Sequence, residues 1–116
     1  MNLAHTELDL ANPKGNINKP GFSDQQRGNL TKILDLGFVD SYRVANPEGK
    51  QFSYWSQIFR ARERNVGWRL DYILVSRGLK VESGEVHDQV TGSDHCPVSA
   101  LIAINWIMSY YIGLYN

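Results

Sequence analysis

At 116 residues, with 12 Lys and Arg against 12 Asp and Glu and 42% hydrophobic residues, the chain fits one small globular unit and is too short for two full domains. A formal net charge of zero excludes the global positive field of a histone-like protein, so nucleic-acid binding has to be argued from local charge. The single cysteine, Cys96, excludes an internal disulfide framework and a Cys-rich zinc site.

The amino terminus has no basic stretch followed by an apolar one, so no secretory signal is expected and an intracellular location is. Turn residues are dense at Asn12-Pro13-Lys14-Gly15-Asn16 and Asn18-Lys19-Pro20-Gly21, which predicts an ordered loop of turns over 11–22. A helix follows. Ser23 and Gln26 stand at capping-box spacing, Leu30, Ile33 and Leu34 fall at i, i+3 and i+4, and Gly37 ends the run. Phe38 and Val39 are then expected to enter the core. After a turn at Asn46-Pro47-Glu48-Gly49, Phe52 to Trp55 reads as a short aromatic strand. Trp68 to Val75 reads as a longer strand, with Trp68, Leu70, Tyr72 and Leu74 on one face and Arg69 and Asp71 sharing the other. Val98 to Ile104 reads as a strand buried on both faces, with Asp94 and His95 in the loop before it. From Pro97 to Asn116 no residue is charged, a length near the ~20 residues that span a bilayer. Ser99, Asn105, Ser109 and Gly113 dilute the stretch and no Lys or Arg flanks it closely, so no membrane partner is expected. These strands and one clear helix predict an α/β or α+β layered fold.

Gly92-Ser93-Asp94-His95-Cys96-Pro97 is the sharpest local feature. A carboxylate beside an imidazole supplies a hard oxygen ligand for a divalent metal and an acid/base group in one loop. Asp94 making only a turn hydrogen bond while His95 packs is the competing reading. Asp71, acidic within an apolar strand, needs a partner. Arg69 is the bland candidate and His95 the functional one, since a carboxylate on one ring nitrogen fixes the tautomer and raises basicity at the other. Between 60 and 80, Arg60, Arg62, Arg64, Arg69, Arg77 and Lys80 face only Glu63 and Asp71. With Tyr54, Trp55 and Trp68 they have the character of a surface that tracks phosphates and wedges near bases, against the alternative of a solvated loop beside core aromatics. The loop with Asn12, Lys14, Gly15, Asn16, Asn18 and Lys19 offers donors suited to phosphate oxygens, or is simply a turn.

Several blocks together resemble the exonuclease III-type apurinic/apyrimidinic endonucleases of the endonuclease/exonuclease/phosphatase superfamily. They are Asn2-x-Ala4-His5, Asp9-Leu10-x-Asn12-Pro13-Lys14-Gly15-Asn16, Gly21-Phe22 and Gly37-Phe38-Val39-Asp40-Ser41-Tyr42-Arg43. Tyr54-Trp55-Ser56, Ala61-Arg62-x-x-Asn65-Val66-Gly67-Trp68-Arg69-Leu70-Asp71-Tyr72 and Gly92 to Pro97 follow in the family's order. The resemblance implies an α/β fold, half of a four-layer α/β sandwich, over residues 1–104, with 105–116 a divergent apolar tail. It also implies a DNA-repair phosphodiesterase cutting duplex DNA 5′ to abasic sites and trimming 3′ ends. The implied cofactor is Mg²⁺, with Mn²⁺ as a substitute, and the implied compartment is cytoplasmic or nuclear. Carried over by position, Asn2 orients the attacking water and helps hold the metal, Asp94 is a metal ligand, and Asp71 orients a catalytic His95. Asn16 and Asn18 lie near the abasic sugar and phosphates, Arg62 near the DNA, and Tyr54 and Trp55 at the pocket for the flipped-out sugar.

The family motif Gly-Asp-x-Asn has Met1 at its third position here, so the expected catalytic Asp is not part of this sequence. The expectation is a carboxyl-terminal portion whose partner is the amino-terminal half of the same fold, with little activity alone. Two other readings stand beside it: a non-catalytic DNA-binding remnant using the 60–80 patch, and a phosphatase-like hydrolase of the same superfamily.

Overall fold

The computed structural model describes residues 2–104 and the backbone of 107–113. Met1, Asn105, Trp106 and residues 114–116, on which part of the reading of the amino terminus and of the tail falls, lie outside the described residues.

The loop over 11–22 is built from turns around a short 3-10 segment at Lys14–Asn16. Helix α1 (Asp24–Asp35) follows, with the Ser23 hydroxyl accepting from the Gln26 amide at 3.1 Å. Gly37, at φ +118, ends it because that backbone favours a residue without Cβ. Strand β1 (Phe38–Asp40) leads into a five-residue helix α2 (Ser41–Ala45), capped by the Asp40 carboxylate. Val39 packs against the core, but Phe38, which alternation sends to the opposite face of the strand, stays 38% exposed.

Antiparallel pairing joins β2 (Tyr54–Trp55) to β3 (Gly67–Trp68), and β1 to β4 (Leu74–Ser76). The continuous strand expected over Trp68–Val75 is therefore two short pieces. Between them the backbone donors go elsewhere: Arg69 N–H to the Asp9 carbonyl at 2.7 Å, and the Leu70 and Asp71 N–H groups to the Ser53 hydroxyl at 2.9 and 3.2 Å. A side-chain oxygen has replaced a strand partner.

The largest sheet runs β5 (Lys80–Val86), β6 (Val98–Ile104), β7 (Ile107–Gly113), all antiparallel. β5 is not evident from the sequence because a bulge between Val81 and Ser83 breaks its alternation. Gly84 lets the strand approach α2: a Cβ there would lie 2.5 Å from the Ser41 carbonyl oxygen. Core residues gather in three clusters. One holds Tyr42, Phe52, Trp55, Ala61, Val86, Cys96 and Val98, one Ala4, Leu10 and Phe22, and one Val75, Ala100 and Ile102. Among the described residues no helix is long and apolar enough to cross a membrane.

Candidate active site

His95 enters the structure on a loop tied down at each end. Tyr54 and His95 form a single antiparallel bridge, the Trp55 amide donates to the Asp94 carbonyl at 3.0 Å, and the Cys96 amide donates to the Ser53 carbonyl at 2.8 Å. Asp71 arrives from the segment that Ser53 also holds, and its Oδ2 stands 2.7 Å from His95 Nδ1. Both side chains are mostly covered, at 17% and 12% exposure. A partly desolvated carboxylate on Nδ1 selects the tautomer with Nδ1 protonated and leaves Nε2 the basic nitrogen. Of the two partners open to Asp71, the structure selects the histidine.

Arg69 is instead fully engaged away from Asp71. Its Nε donates to Asp9 at 2.8 Å, its two terminal nitrogens to Asp40 at 3.0 and 2.6 Å, and it lies between the Tyr42 and Tyr72 rings. Arg43 adds a 2.5 Å contact to Asp9, and the Thr6 amide and hydroxyl bind the other Asp9 oxygen at 3.0 Å. Burial works against the charge of both groups, but each offsets the other's cost. Asp9 is held below the usual carboxylate range and Arg69 above the usual guanidinium range. Tyr72, next to Asp71, accepts from the His5 amide at 3.1 Å and donates to the Leu3 carbonyl at 2.8 Å, and burial pushes its phenol above its ordinary value. Residues 69–72 thus fix the amino-terminal segment carrying Asn2 and the Asp71–His95 pair on one frame. Sequence reasoning assigned no role to Asp9, Asp40 or Tyr72, although all three fall inside the family blocks.

Asn2, Tyr54, Trp68 and His95, with Pro20, Gly21, Gln26, Ser56 and Leu70, line a cleft of about 610 Å³. The His95 and Tyr54 rings stand 5.0 Å apart. Asp94 lies in the neighbouring cleft of about 380 Å³ with Trp55, Arg60, Arg62 and Ser93, and Ser56 lines both. Trp55 itself is 3% exposed, and its indole N–H donates to Asn65 at 3.0 Å.

Other candidate residues are engaged locally. The Asn16 side-chain Nδ2 donates to the Asn12 carbonyl at 2.7 Å, and the Asn18 side-chain oxygen accepts from the Asp24 backbone amide at 3.3 Å; neither residue lines either cleft. Arg62 stacks over Trp55 and donates to the carbonyls of Asp88, Val90 and Ser93. The sequence gives no reading for Ile58 and Phe59, which are 63% and 79% exposed. Phe59 and Arg60 have φ of 56° and 53°, a left-handed pair that projects the loop tip. The signal was an apolar pair inside a basic turn.

Among the described residues no group of three or more His, Cys, Asp and Glu could hold a metal ion. The Asp94 carboxylate and the Asn2 amide oxygen are hard donors of the kind a divalent cation takes, but they line different clefts.

The profile of the Endonuclease/Exonuclease/phosphatase family matches residues 1–95. The chain is 50% identical over 107 residues to a Bacillus subtilis exodeoxyribonuclease, covering 90% of this chain and 42% of that protein. It is 46% identical over 110 residues to a DNA-(apurinic or apyrimidinic site) endonuclease of Dictyostelium discoideum, covering 90% of this chain and 30% of that one. Among solved structures, a 3′-5′ exonuclease from Neisseria meningitidis superimposes with a TM-score of 0.81 at 30% identity, covering 86% of this chain and 41% of the other. An AP endonuclease from Leishmania major gives 0.75 at 32%, covering 84% and 31%. The chain spans less than half the length of each of these relatives.

Proposed function

Since the chain belongs to the endonuclease/exonuclease/phosphatase family, we propose that it carries the Asp71–His95 side of a DNA-repair phosphodiesterase site, one that cuts duplex DNA beside abasic sites and trims 3′ ends. The observation that carries this reading is the 2.7 Å Asp71–His95 contact at the wall of a cleft that also holds Asn2, Tyr54 and Trp68.

In this reading the Asp71 carboxylate holds His95 with Nε2 basic, so His95 contacts the scissile phosphate or takes the proton of the attacking water. Asn2 orients that water, and Tyr54 and Trp68 give the abasic sugar a flat apolar wall. Attack at phosphorus needs positioned reactants and neutralised oxygens more than covalent help. Asp94 and Asn2 are the residues of this chain that would contribute to a Mg²⁺ site, completed by ligands from the rest of the fold. Bound there, Mg²⁺ would neutralise phosphate charge. With one such carboxylate, the chain alone incises little or nothing, because members of a catalytic unit are not additive. In this reading the exposed Ile58 and Phe59, beside Arg60 and Arg64, would meet the duplex as an apolar tip with a cationic rim.

The test is titration of labelled duplexes with and without an abasic site at several salt concentrations. Tighter binding to the abasic duplex, lost in Trp68→Ala, is expected. No affinity for either duplex at low salt would overturn the reading.

A further inference from the structure

We propose that Arg62 is a positioning residue that locks the loop bearing Asp94 and His95 to the loop bearing Ile58 and Phe59, and that it makes no phosphate contact. A basic residue in a basic segment suggests a phosphate ligand, but three of the five donors of this half-buried guanidinium are turned onto backbone carbonyls. One terminal nitrogen donates to the carbonyls of Asp88 and Val90 at 2.9 and 2.8 Å, the other to the Ser93 carbonyl at 3.3 Å. Its carbon stands 4.3 Å from the centroid of the buried Trp55 ring. Three backbone acceptors and an aromatic face suit a planar fork with several donors, and a point-charge ammonium would satisfy only part of that set.

The anchoring end is itself rigid. The Asn65 amide donates to the Arg62 carbonyl at 3.0 Å, the Val66 amide to the Ala61 carbonyl at 2.8 Å, and Asn65 holds the Trp55 indole N–H. On the far side, residues 88–93 are held by the Val90 amide on the His87 carbonyl at 3.1 Å, by Gln51 Nε2 on the Asp88 carboxylate at 3.2 Å and by the Ser93 hydroxyl, which accepts from the His95 amide at 3.3 Å. Arg62 therefore adds three cross-links from 58–66 to 88–93, beside the bonds that already tie Asp94 and Cys96 to residues 53–55, and a push on the exposed tip is carried toward Asp94 and His95. The clamp stands on geometry alone; its consequence for incision rests on the function proposed above.

The experiment compares Arg62→Ala, Arg62→Lys and the pair Arg60→Ala/Arg64→Ala in the 116-residue chain, reading amide exchange at Val90, His95 and Trp55 and the salt slope of duplex binding. The clamp predicts that Arg62→Ala speeds exchange at these amides at least about tenfold. Arg62→Lys should fail to restore protection, and neither change should lower the salt slope. The Arg60/Arg64 pair should lower the slope by about 2 and leave exchange unchanged. Unchanged exchange in Arg62→Ala, or a slope lowered by about 1 in Arg62→Ala and restored in Arg62→Lys, would overturn the clamp. If Arg62→Ala unfolds, Arg62→Gln is read in the same way. Absence of any DNA binding by the unsubstituted chain counts against the nuclease reading, and the exchange comparison still decides the clamp.

Discussion

Replacing Arg69 with Met removes the guanidinium at the centre of the frame while keeping an apolar stem between Tyr42 and Tyr72. Arg69 is 1% exposed and makes three charged hydrogen bonds to two buried carboxylates. Their losses differ. Asp9 keeps Arg43 and the two Thr6 donors, whereas among the described residues Asp40 keeps only the Arg43 amide at 3.4 Å. Stripping one partner from a buried pair costs about 3–5 kcal/mol, so with one carboxylate nearly abandoned and the other still served we expect about 4 kcal/mol. In a chain of this size that is a fall of roughly 15 °C in Tm. Urea unfolding followed by circular dichroism gives the loss directly, and Arg69→Met/Asp40→Asn should recover about 2 kcal/mol of it by removing the stranded charge. A loss below about 1 kcal/mol, or no recovery in the double variant, would refute the assignment of Arg69 as the electrostatic hub.

Ser23→Ala should cost about 1 kcal/mol by removing the α1 cap, read in the same urea assay. Gly84→Ala should cost about 1–3 kcal/mol, because the new Cβ meets the backbone of Ser41 and Tyr42 at 2.5 to 2.8 Å, where little can yield. Cys96, whose thiol burial pushes up to about 12, should resist a thiol reagent at pH 8 in the folded chain and react on unfolding. Asp9 and His5 both have lowered folded-state values, His5 through burial and Asp9 through Arg69 and its other partners. For each, the unfolded state binds the proton more readily. Stability should therefore fall as pH drops from near 6.5 as His5 titrates, then again below the ordinary carboxylate range as Asp9 takes up its proton. A melting temperature flat from pH 7 to pH 3 would contradict this.

The parts of the fold that were legible in the sequence are those specified locally. α1 carries its cap, its apolar spacing and its terminal glycine within fifteen residues, Ser23 to Gly37, and β6, apolar but for Ser99, is buried or half-buried along its length. β5 was hidden because its bulge and Gly84 break the two-residue period, and α2 because a five-residue helix capped by a preceding strand residue leaves almost no periodicity. The stretch after Trp68 looked like a strand because its side chains alternate, yet its donors are taken by Ser53 and Asp9, which lie far away in sequence. The site shows the same division. Asp71 and His95 were legible as a candidate pair because a carboxylate in an apolar segment needs a partner. Composition gives Arg62, Asn16 and Asn18 their charge or polarity but not their direction, and all three turn toward backbone groups. The Asp9–Arg69–Asp40 hub joins residues 60 and 29 positions apart, so no local pattern announces it.

The most direct measurement of the central claim is incision of a 5′-labelled abasic duplex by the 116-residue chain mixed with the complementary portion of a family relative in Mg²⁺. The account predicts nicking by the mixture that neither part shows alone, abolished in His95→Ala and cut at least about a hundredfold in Asp71→Asn, where the tautomer is no longer fixed. Robust nicking that survives His95→Ala, or no nicking by a mixture that binds the duplex and is stably associated, would contradict it.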